Sequence, residues 1–509
     1  MACTTILVGK NASYDGSTMI ARNDDSGSGT FTAKKLQVIL SSQQPKVYKS
    51  KLSEIEIPLP EHPLRYTCMP NAVEGEGIWG AAGVNEENVS MTATETITSN
   101  PRVLGADPLL SRPQKTGKLT RDNALHIPQY RSRKETLPAG IGEEDLVILV
   151  LPYIHSAREG VERLGALLEQ YGTYEMNGIA FQDSDEIWWL ESIGGHHWMA
   201  KRVPDDQYVV MPNQLGIDDF DLEDALGKKK NHMCSADLRE FIEKNHLDLN
   251  LDGRFNPRLA FGSHDDSDHV YNTPRAWFME RYLNPRTTKW DGQDADYTPL
   301  SDDIPWSRVP ERKITVEDVK YVLSAHFQGT PYDPYARFGD KTQHGAFRPI
   351  GVNRTSFLSC TQLRPYLPKA LRAIEWIAYG SNVFNAFVPL YTNVTRVPAY
   401  FSNTTDQVST DNFYWSNRLI GALADAKFEL TAIHIERYQE AVPSKAYHLL
   451  SECESSYKKS MKDPEVHALL EKANQGISDM LEKETSDVLG HVLYETSCRM
   501  KNAYARSDA

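Results

Sequence analysis

The stretch that decides the expected fold is the opening of the chain, Met1–Asp25, which reads MACTTILVGKNASYDGSTMIARNDD. An apolar, β-branched run at Thr4–Val8 follows Cys3 directly, and a Tyr-Asp-Gly-Ser turn leads to a second apolar run that ends in Arg22–Asp25. Two such runs joined by turn residues predict a β-hairpin. The hairpin would return the end of its second strand to the start of its first. We therefore expect the thiol to lie beside the Arg-Asn-Asp-Asp cluster.

A cysteine at a mature amino terminus carries a nucleophile and a base on one residue. Its thiolate can attack a carbonyl, and its α-amine, with an ordinary pKa of about 7.7, can take the thiol proton. Arg22 would favour the thiolate by its charge, and Asp25 would fix the arginine and orient the amine. The alternative is structural, because a lone cysteine beside a strand is often a small buried hydrophobe and such a polar run is often a turn.

The position of Cys3 adds one requirement to the catalytic reading. Removal of the initiator methionine would leave Ala2 in front of it. The Ala2–Cys3 bond must also be cut before the cysteine has a free amine. We expect Cys3 to cut this bond itself by attacking the preceding carbonyl.

Composition excludes several classes of function. The chain has 509 residues, 40% of them hydrophobic and 24% charged, with a net charge of −14, which argues against a nucleic-acid surface. It shows no secretory signal and no apolar run of transmembrane length. The six cysteines have no metal-type spacing and suit a reducing cytoplasm; they are Cys3, Cys68, Cys234, Cys360, Cys453 and Cys498. We expect a cytoplasmic protein with no metal, no organic cofactor, no nucleic-acid partner and no membrane partner.

The rest of the chain predicts alternating blocks of strands and helices. A hairpin is expected around Asn85, a helix over residues 157–171 with Ser156 as its N-cap, and an antiparallel meander over 178–213. Strands between 345 and 400 are expected to form the second sheet of a sandwich, and residues 98–140 a long loop lining the substrate cleft. From residue 412 the pattern is helical, so we divide the chain into a catalytic unit at 1–411 and a helical extension at 412–509.

The opening segment closely resembles that of the cysteine dipeptidases of the lactobacillal dipeptidase A type, within the N-terminal nucleophile hydrolase superfamily. The resemblance rests on the residues from Cys3 to Lys10 and from Asp15 to Asp25. Further family-like stretches are Gly83–Glu86, Glu143–Leu146, Tyr271–Arg275 and Tyr379–Asn382. The resemblance implies an α+β fold of four layers, αββα, in which two antiparallel sheets are stacked between helices.

The same resemblance implies roles for three residues outside the hairpin. Asn85 would supply a side-chain donor to the oxyanion hole, although an asparagine at a hairpin tip is by itself typical of a turn. Asn213 would bind the α-amine or the substrate. Arg275 would lie in the substrate-binding part of the site, although the residue also suits an ordinary helix start.

The function implied is hydrolysis of dipeptides by Cys3, with Arg22, Asp25 and Asn85 as catalytic partners and Asn213 and Arg275 binding substrate. Two alternatives remain open at this point. One is an amidohydrolase of N-acyl amides such as penicillin V or bile salts, and the other is an unprocessed, secernin-like protein without activity. The apolar stripes of the C-terminal helices are expected to pack internally or to form a homo-oligomer interface.

Overall fold

The computed structural model describes residues 3–73, 75, 77–113, 136–251 and 253–502. Its strands are β1 (Thr4–Val8), β2 (Thr18–Asp25), β3 (Gln37–Ile39), β4 (Val47–Lys49), β5 (Glu56–Pro58), β6 (Tyr66–Cys68), β7 (Ala82–Val84), β8 (Ser90–Thr96), β9 (Ser111–Pro113), β10 (Thr136–Pro138), β11 (Asn177–Gln182), β12 (Ile187–Ser192), β13 (Trp198–Arg202), β14 (Tyr208–Met211), β15 (His232–Cys234), β16 (Ser307–Arg308), β17 (Thr355–Leu363), β18 (Ala373–Tyr379) and β19 (Val388–Tyr391).

The helices are α1 (Pro101–Ala106), α2 (Leu146–Val150), α3 (Ala157–Tyr171), α4 (Leu222–Leu226), α5 (Leu238–Lys244), α6 (Pro257–Phe261), α7 (Asp268–Tyr271), α8 (Thr273–Leu283), α9 (Val316–Leu323), α10 (Ala399–Ser402), α11 (Phe413–Ala426), α12 (Phe428–Ser456) and α13 (Asp463–Ser497). Short 3-10 turns lie at Ser41–Gln43, Leu151–Tyr153 and Lys369–Leu371. None of the helices in these ranges has an apolar stretch of the length that crossing a bilayer requires.

The predicted opening hairpin is confirmed, and it forms the centre of the larger sheet. β1 pairs antiparallel with β2 on one side, Thr5 facing Arg22, and with β14 on the other, Thr5 facing Met211. The full strand order of this first sheet, within the described residues, is β16-β14-β1-β2-β17-β18-β19. The residue just before β1 is therefore flanked by the ends of two neighbouring strands.

A second antiparallel sheet has the strand order β15-β13-β12-β11-β8-β7. It contains the predicted hairpin around Asn85 and three strands of the predicted meander, β11–β13. The last strand of the predicted meander, β14, instead pairs with β1 in the first sheet, so the prediction is wrong for that strand. The expectation that the strands between 345 and 400 form this sheet is wrong: β17 pairs with β2, and β18 and β19 extend the first sheet from there. Pairing partners depend on tertiary packing, which strand periodicity does not encode.

The two sheets pack face to face, and helices cover their outer surfaces. Leu7 and Ile20 of the first sheet share an apolar cluster with Ala180 and Trp189 of the second. On the outside of the second sheet, α3 approaches so closely that a Cβ at Gly160 would lie 2.4 Å from the Phe181 ring. The outer side of the first sheet is covered by α8, α9 and the C-terminal helices, which contribute to one large core.

Helix α3 begins and ends where the sequence predicts. The hydroxyl of Ser156 accepts the N–H of Glu159 at 3.1 Å, and the Glu159 carboxylate accepts the N–H of His155 at 2.7 Å. These bonds satisfy donors that a helix start otherwise leaves open. The chain leaves the helix at Gly172, whose φ of 65° favours glycine.

The C-terminal helices complete the first sheet at its edge. The buried side chain of Asn474, on α13, accepts the N–H of Tyr391 at 2.9 Å and donates to its carbonyl at 2.9 Å. An amide thus takes the place of a neighbouring strand beside β19. The predicted boundary between residues 411 and 412 falls just before α11, and α11–α13 share the core of the first sheet.

The long loop expected at residues 98–140 is described only in part. It contains α1 and the small β9–β10 hairpin. Residues 114–135 lie outside the described part of the chain.

Candidate active site

Cys3 lies at the amino end of β1 and is fully buried. Side chains in a strand alternate between its two faces, so Cys3 shares a face with Leu7, which points between the sheets. The backbone of Cys3 and the side chain of Thr4 face the helical layer beyond the first sheet. The thiol and the carbonyl of Cys3 therefore meet different parts of the molecule.

Arg22 contacts the thiol directly. Its Nη2 lies 3.0 Å from Cys3 Sγ, and the same nitrogen lies 3.0 Å from both Asp24 Oδ1 and Glu143 Oε1. Its Nη1 donates to the carbonyl of Ala81 at 3.2 Å. Burial alone would lower the pKa of Arg22, but the Cys3 sulfur and the two carboxylates together raise it above its ordinary value. The guanidinium is thus permanently charged and favours the thiolate form of Cys3.

A second cation supports this arrangement. Lys34 Nζ lies 3.3 Å from Asp24 Oδ2 and donates to the carbonyl of Trp79 at 3.1 Å. Burial would raise the pKa of Asp24, but Lys34 and Arg22 together lower it. The carboxylate is therefore ionised and holds the two cations in place.

Arg275, at the start of α8, reaches Cys3 from the opposite side. Its Nη1 donates to the carbonyl of Cys3 at 2.5 Å and to Thr4 Oγ1 at 2.6 Å. Its Nη2 donates to Asn213 Oδ1 at 2.8 Å and to Asn272 Oδ1 at 2.7 Å. A rigid guanidinium with several fixed donors thereby sets the peptide plane that follows the nucleophile.

Asn213 follows β14 and is joined to the site through Arg275. Its Nδ2 donates to the carbonyl of Thr96 at 3.0 Å, and its backbone N–H donates to Asn272 Oδ1 at 3.1 Å. The structure thus brings four of the predicted residues together: Cys3, Arg22, Asn213 and Arg275.

Asp25 does not join this group. It is bonded by Arg348 and by Thr355 Oγ1, the latter at 2.6 Å. The physical reason is strand alternation: Arg22 and Asp24 share one face of β2, and Asp25 lies on the other. The carboxylate next to Arg22 is therefore Asp24, a correction to the expected position of Asp25.

Asn85 is also engaged elsewhere. Its Nδ2 donates to the carbonyls of Leu151 at 2.9 Å and Ile154 at 2.8 Å, and its Oδ1 accepts the N–H groups of Glu87 and Val89. Its amide is thus used to hold the β7–β8 turn against the end of α2. The structure does not bring this side chain to Cys3, and the oxyanion role stays a prediction without a contact behind it.

Three further charged residues, Glu143, Lys34 and Glu175, are buried at or near the site and were not among the predicted site residues. Glu143 opens the run Glu143-Glu144-Asp145, directly before the apolar residues of α2. Three consecutive acids directly before a run of apolar residues indicate from the sequence that some of these carboxylates are buried, because acidic residues are otherwise mostly exposed to solvent.

The carboxyl groups beyond Glu143 have raised pKa values. Burial, and then the charge of Glu144, raises the pKa of Asp145 to about 8. Burial, and then the charge of Glu143, raises the pKa of Glu175 to about 7. Tyr48 donates to Asp145 at 2.6 Å, and Ser50 donates to Glu144 at 2.6 Å. Glu143 joins this acidic region to Arg22.

The arrangement suits nucleophilic attack on a carbonyl carbon. It combines a buried thiol, a fixed cation beside it and carboxylates that hold the cation, which is how proteins activate a cysteine. In the part of the chain that the structure describes, no three His, Cys, Asp or Glu side chains are grouped as metal ligands would be.

Comparison with known proteins agrees with the resemblance drawn from the sequence. The family model described as "Peptidase family C69" matches residues 2–441. A protein of Bifidobacterium longum named "Dipeptidase" is 53% identical over the whole of both chains, and a "Probable dipeptidase A" of Streptococcus pyogenes is 50% identical, also over both whole chains. "Dipeptidase A" of Lactobacillus helveticus is 40% identical over 97% of this chain and 96% of its own. The chain therefore belongs to peptidase family C69.

Proposed function

We propose that the protein is a cysteine dipeptidase that hydrolyses the peptide bond of dipeptides with Cys3 as the nucleophile. The observation that carries the proposal is the 3.0 Å contact between Arg22 Nη2 and Cys3 Sγ in a buried site. The relatives are similar to this chain over nearly their full lengths, and their names support dipeptides as the substrate class.

In the proposed mechanism Met1 and Ala2 are removed, so that Cys3 gains a free α-amine. This amine takes the thiol proton, and the thiolate attacks the scissile carbonyl to give a tetrahedral intermediate. The amine returns the proton to the leaving amino group, a thioester forms, and water then hydrolyses the thioester. Backbone N–H groups beside the sulfur would hold the oxyanion, since acyl transfer requires such donors.

Each remaining contact has a defined part in this proposal. Arg22 stabilises the thiolate, and Asp24 and Glu143 keep the guanidinium against the sulfur. Arg275 fixes the carbonyl of Cys3 and so limits rotation about the backbone of the nucleophile, with Asn213 holding Arg275 in turn. We accordingly place the fold among the four-layer αββα sandwiches of N-terminal nucleophile hydrolases, on the support of the two facing sheets and their outer helices.

We also propose that the enzyme works in the cytoplasm as a homo-oligomer. Support for the location comes from six cysteines that are all free thiols. Light scattering coupled to gel filtration would measure the subunit number, and a monomer at micromolar concentration would contradict the oligomer.

The test of the function combines a substrate panel with two cysteine variants. Cys3→Ala should fold as the wild type does and lose dipeptide hydrolysis, whereas the control Cys498→Ala, at an exposed cysteine, should keep it. The panel contains dipeptides with free amines and N-acyl amides such as penicillin V. Preference for the N-acyl amides would favour the amidohydrolase alternative, and retained activity in Cys3→Ala would refute the nucleophile.

The mass of the purified protein tests the amine mechanism separately. An active enzyme should lack Met1 and Ala2. Full activity in a protein that still carries Ala2 would exclude the Cys3 amine as the base.

A further inference from the structure

Glu143 lies close enough to the nucleophile to contact a substrate bound there. Its Oε1 and Cys3 Sγ each lie 3.0 Å from Arg22 Nη2, so the two atoms are no more than about 6 Å apart. The side chain of Glu143 is 2% exposed.

The geometry of a dipeptide places its charged amine at this distance from the sulfur. The ammonium nitrogen is bonded to the α-carbon beside the scissile carbonyl, about 2.5 Å from the carbonyl carbon. At the start of attack that carbon lies about 3–3.5 Å from the nucleophile. The ammonium therefore lies within about 6 Å of the sulfur, where a carboxylate beside the nucleophile can accept a charge-assisted hydrogen bond from it.

Glu143 does not have a cation to itself. Asp24 Oδ1 lies against Arg22 and its Oδ2 against Lys34. Glu143 shares Arg22 with Asp24 and with the Cys3 sulfur. Buried charges are stable when paired, so a substrate ammonium beside Glu143 would give this carboxylate a second cation.

Glu175 is placed to assist Glu143. Its Oε1 accepts the backbone N–H of Glu143 at 2.6 Å. The charged side chains that face it include Glu143 and Glu144, with Arg22 beyond Glu143, and the charge of the amino terminus opposes the rise in its pKa. Since burial and the charge of Glu143 raise its pKa to about 7, Glu175 is about half protonated at neutral pH and would ionise when a cation binds nearby.

We propose that Glu143 and Glu175 form the subsite that receives the free α-ammonium group of the dipeptide. The proposal rests on the dipeptidase function proposed above. It assigns the selection of free amino termini to these two acids.

The first test is a two-by-two comparison of enzyme and substrate. A dipeptide and its N-acetyl derivative are assayed with the wild type and with Glu143→Gln. Loss of a charge-assisted bond should raise KM for the free dipeptide about 10- to 100-fold. It should lower by a similar factor the ratio of kcat/KM for the free dipeptide to kcat/KM for the N-acetyl derivative, because any effect through Arg22 falls on both substrates alike. The exposed acid Glu162 provides the matched control, because Glu162→Gln should change neither value.

The second test measures proton release on binding, which a purely structural role would not produce. The protein used is Cys3→Ala made without Ala2, because this variant lacks the thiol that is expected to remove Ala2. Calorimetry of dipeptide binding to it, in buffers of different ionisation enthalpy, should show release of up to about half a proton at pH 7. The same measurement on Cys3→Ala/Glu175→Gln should show no release. Equal release from both proteins would overturn the role of Glu175.

Three outcomes overturn the subsite in distinguishable ways. If the wild type hydrolyses the N-acetyl derivative as fast as the free dipeptide, the ammonium subsite is contradicted and the dipeptidase function stands. If Glu143→Gln leaves KM unchanged and slows alkylation of Cys3 by iodoacetamide, Glu143 acts only by positioning Arg22. Failure of the wild type on every dipeptide removes the proposed function and this subsite with it.

A second substitution covers the possibility that Glu143→Gln does not fold. Glu143→Asp keeps the charge on a shorter side chain and should keep the preference for free dipeptides over N-acetyl dipeptides. Loss of this preference in a folded Glu143→Asp protein, judged by its unfolding transition, would contradict a charge-based subsite.

Discussion

Arg22 Nη2 lies 3.0 Å from Cys3 Sγ, and the two residues are held on adjacent strands of one buried hairpin. The guanidinium is also bound by Asp24 and Glu143, so its position does not depend on the thiol. The cation is therefore already in place when a substrate arrives, and the thiolate needs no rearrangement to form beside it.

Arg22→Lys should lower kcat about 10- to 100-fold. A lysine ammonium keeps the charge but lacks the fork that bonds sulfur and two carboxylates together. The rate of Cys3 alkylation by iodoacetamide at pH 7 should fall with kcat. Unchanged alkylation alongside reduced kcat would show that Arg22 acts on the substrate and not on the thiol.

Asn85→Ala should lower the free energy of unfolding by about 2–4 kcal/mol, because its amide makes four hydrogen bonds that hold the β7–β8 turn. Urea unfolding measures this loss. In the folded variant kcat should stay within about threefold of the wild type. A loss of 100-fold or more would instead restore Asn85 to the oxyanion hole.

Asp25→Asn should lower the free energy of unfolding by about 3–5 kcal/mol, since it leaves the buried Arg348 without its carboxylate. The double variant Asp25→Asn/Arg348→Met should recover part of the loss in the same urea titration. Glu56→Gln, at the exposed pair with Lys49, serves as the control and should cost less than about 1 kcal/mol. Loss of activity without loss of stability in Asp25→Asn would return Asp25 to the catalytic group.

Glu191→Gln should reduce the dependence of stability on pH. Burial raises the pKa of Glu191 from 4.5 to about 7, against the opposing bonds from Trp189 and Gly216. A carboxyl group with a raised pKa stabilises the folded state fully below pH 4.5, and this contribution is lost as pH rises through 7. The wild type should therefore lose roughly 2–4 kcal/mol more than the variant between pH 4.5 and 8. Urea unfolding at each pH measures this difference. If the stability of the wild type and of the variant changed in parallel with pH, the raised pKa of Glu191 would be contradicted.

The sequence predicted the parts of the fold that local pattern determines. The opening hairpin, strands β11–β13 of the meander and helix α3 all follow from alternation, turn residues and a capping box. Strands β17–β19 were predicted as strands but assigned to the wrong sheet. Local pattern predicts each strand, whereas the sheet that it joins depends on partners far away in the sequence. Hydrogen bonding between β17 and β2 joins segments more than 300 residues apart.

The site residues also divide into those that local pattern predicts and those that it does not. Cys3 and Arg22 are predictable because one hairpin carries both. The choice of Asp25 over Asp24 ignored a local rule, since period-two alternation places Asp24 on the face of Arg22. Glu143 and Lys34 could not be placed from their own surroundings in the sequence, because their contacts with the hairpin are made only by packing of the two sheets.

The hydrogen bond from Arg275 to the carbonyl of Cys3 has a consequence for synthesis of the protein. The ribosome makes Cys3 almost first, and Arg275 follows 272 residues later, on the order of tens of seconds at ordinary elongation rates. During that interval the growing chain carries a thiol whose backbone has not been fixed and whose acidic neighbours arrive one by one. The nucleophile is thus the first functional group translated, and the contacts that fix it are complete only after Arg275 has been made.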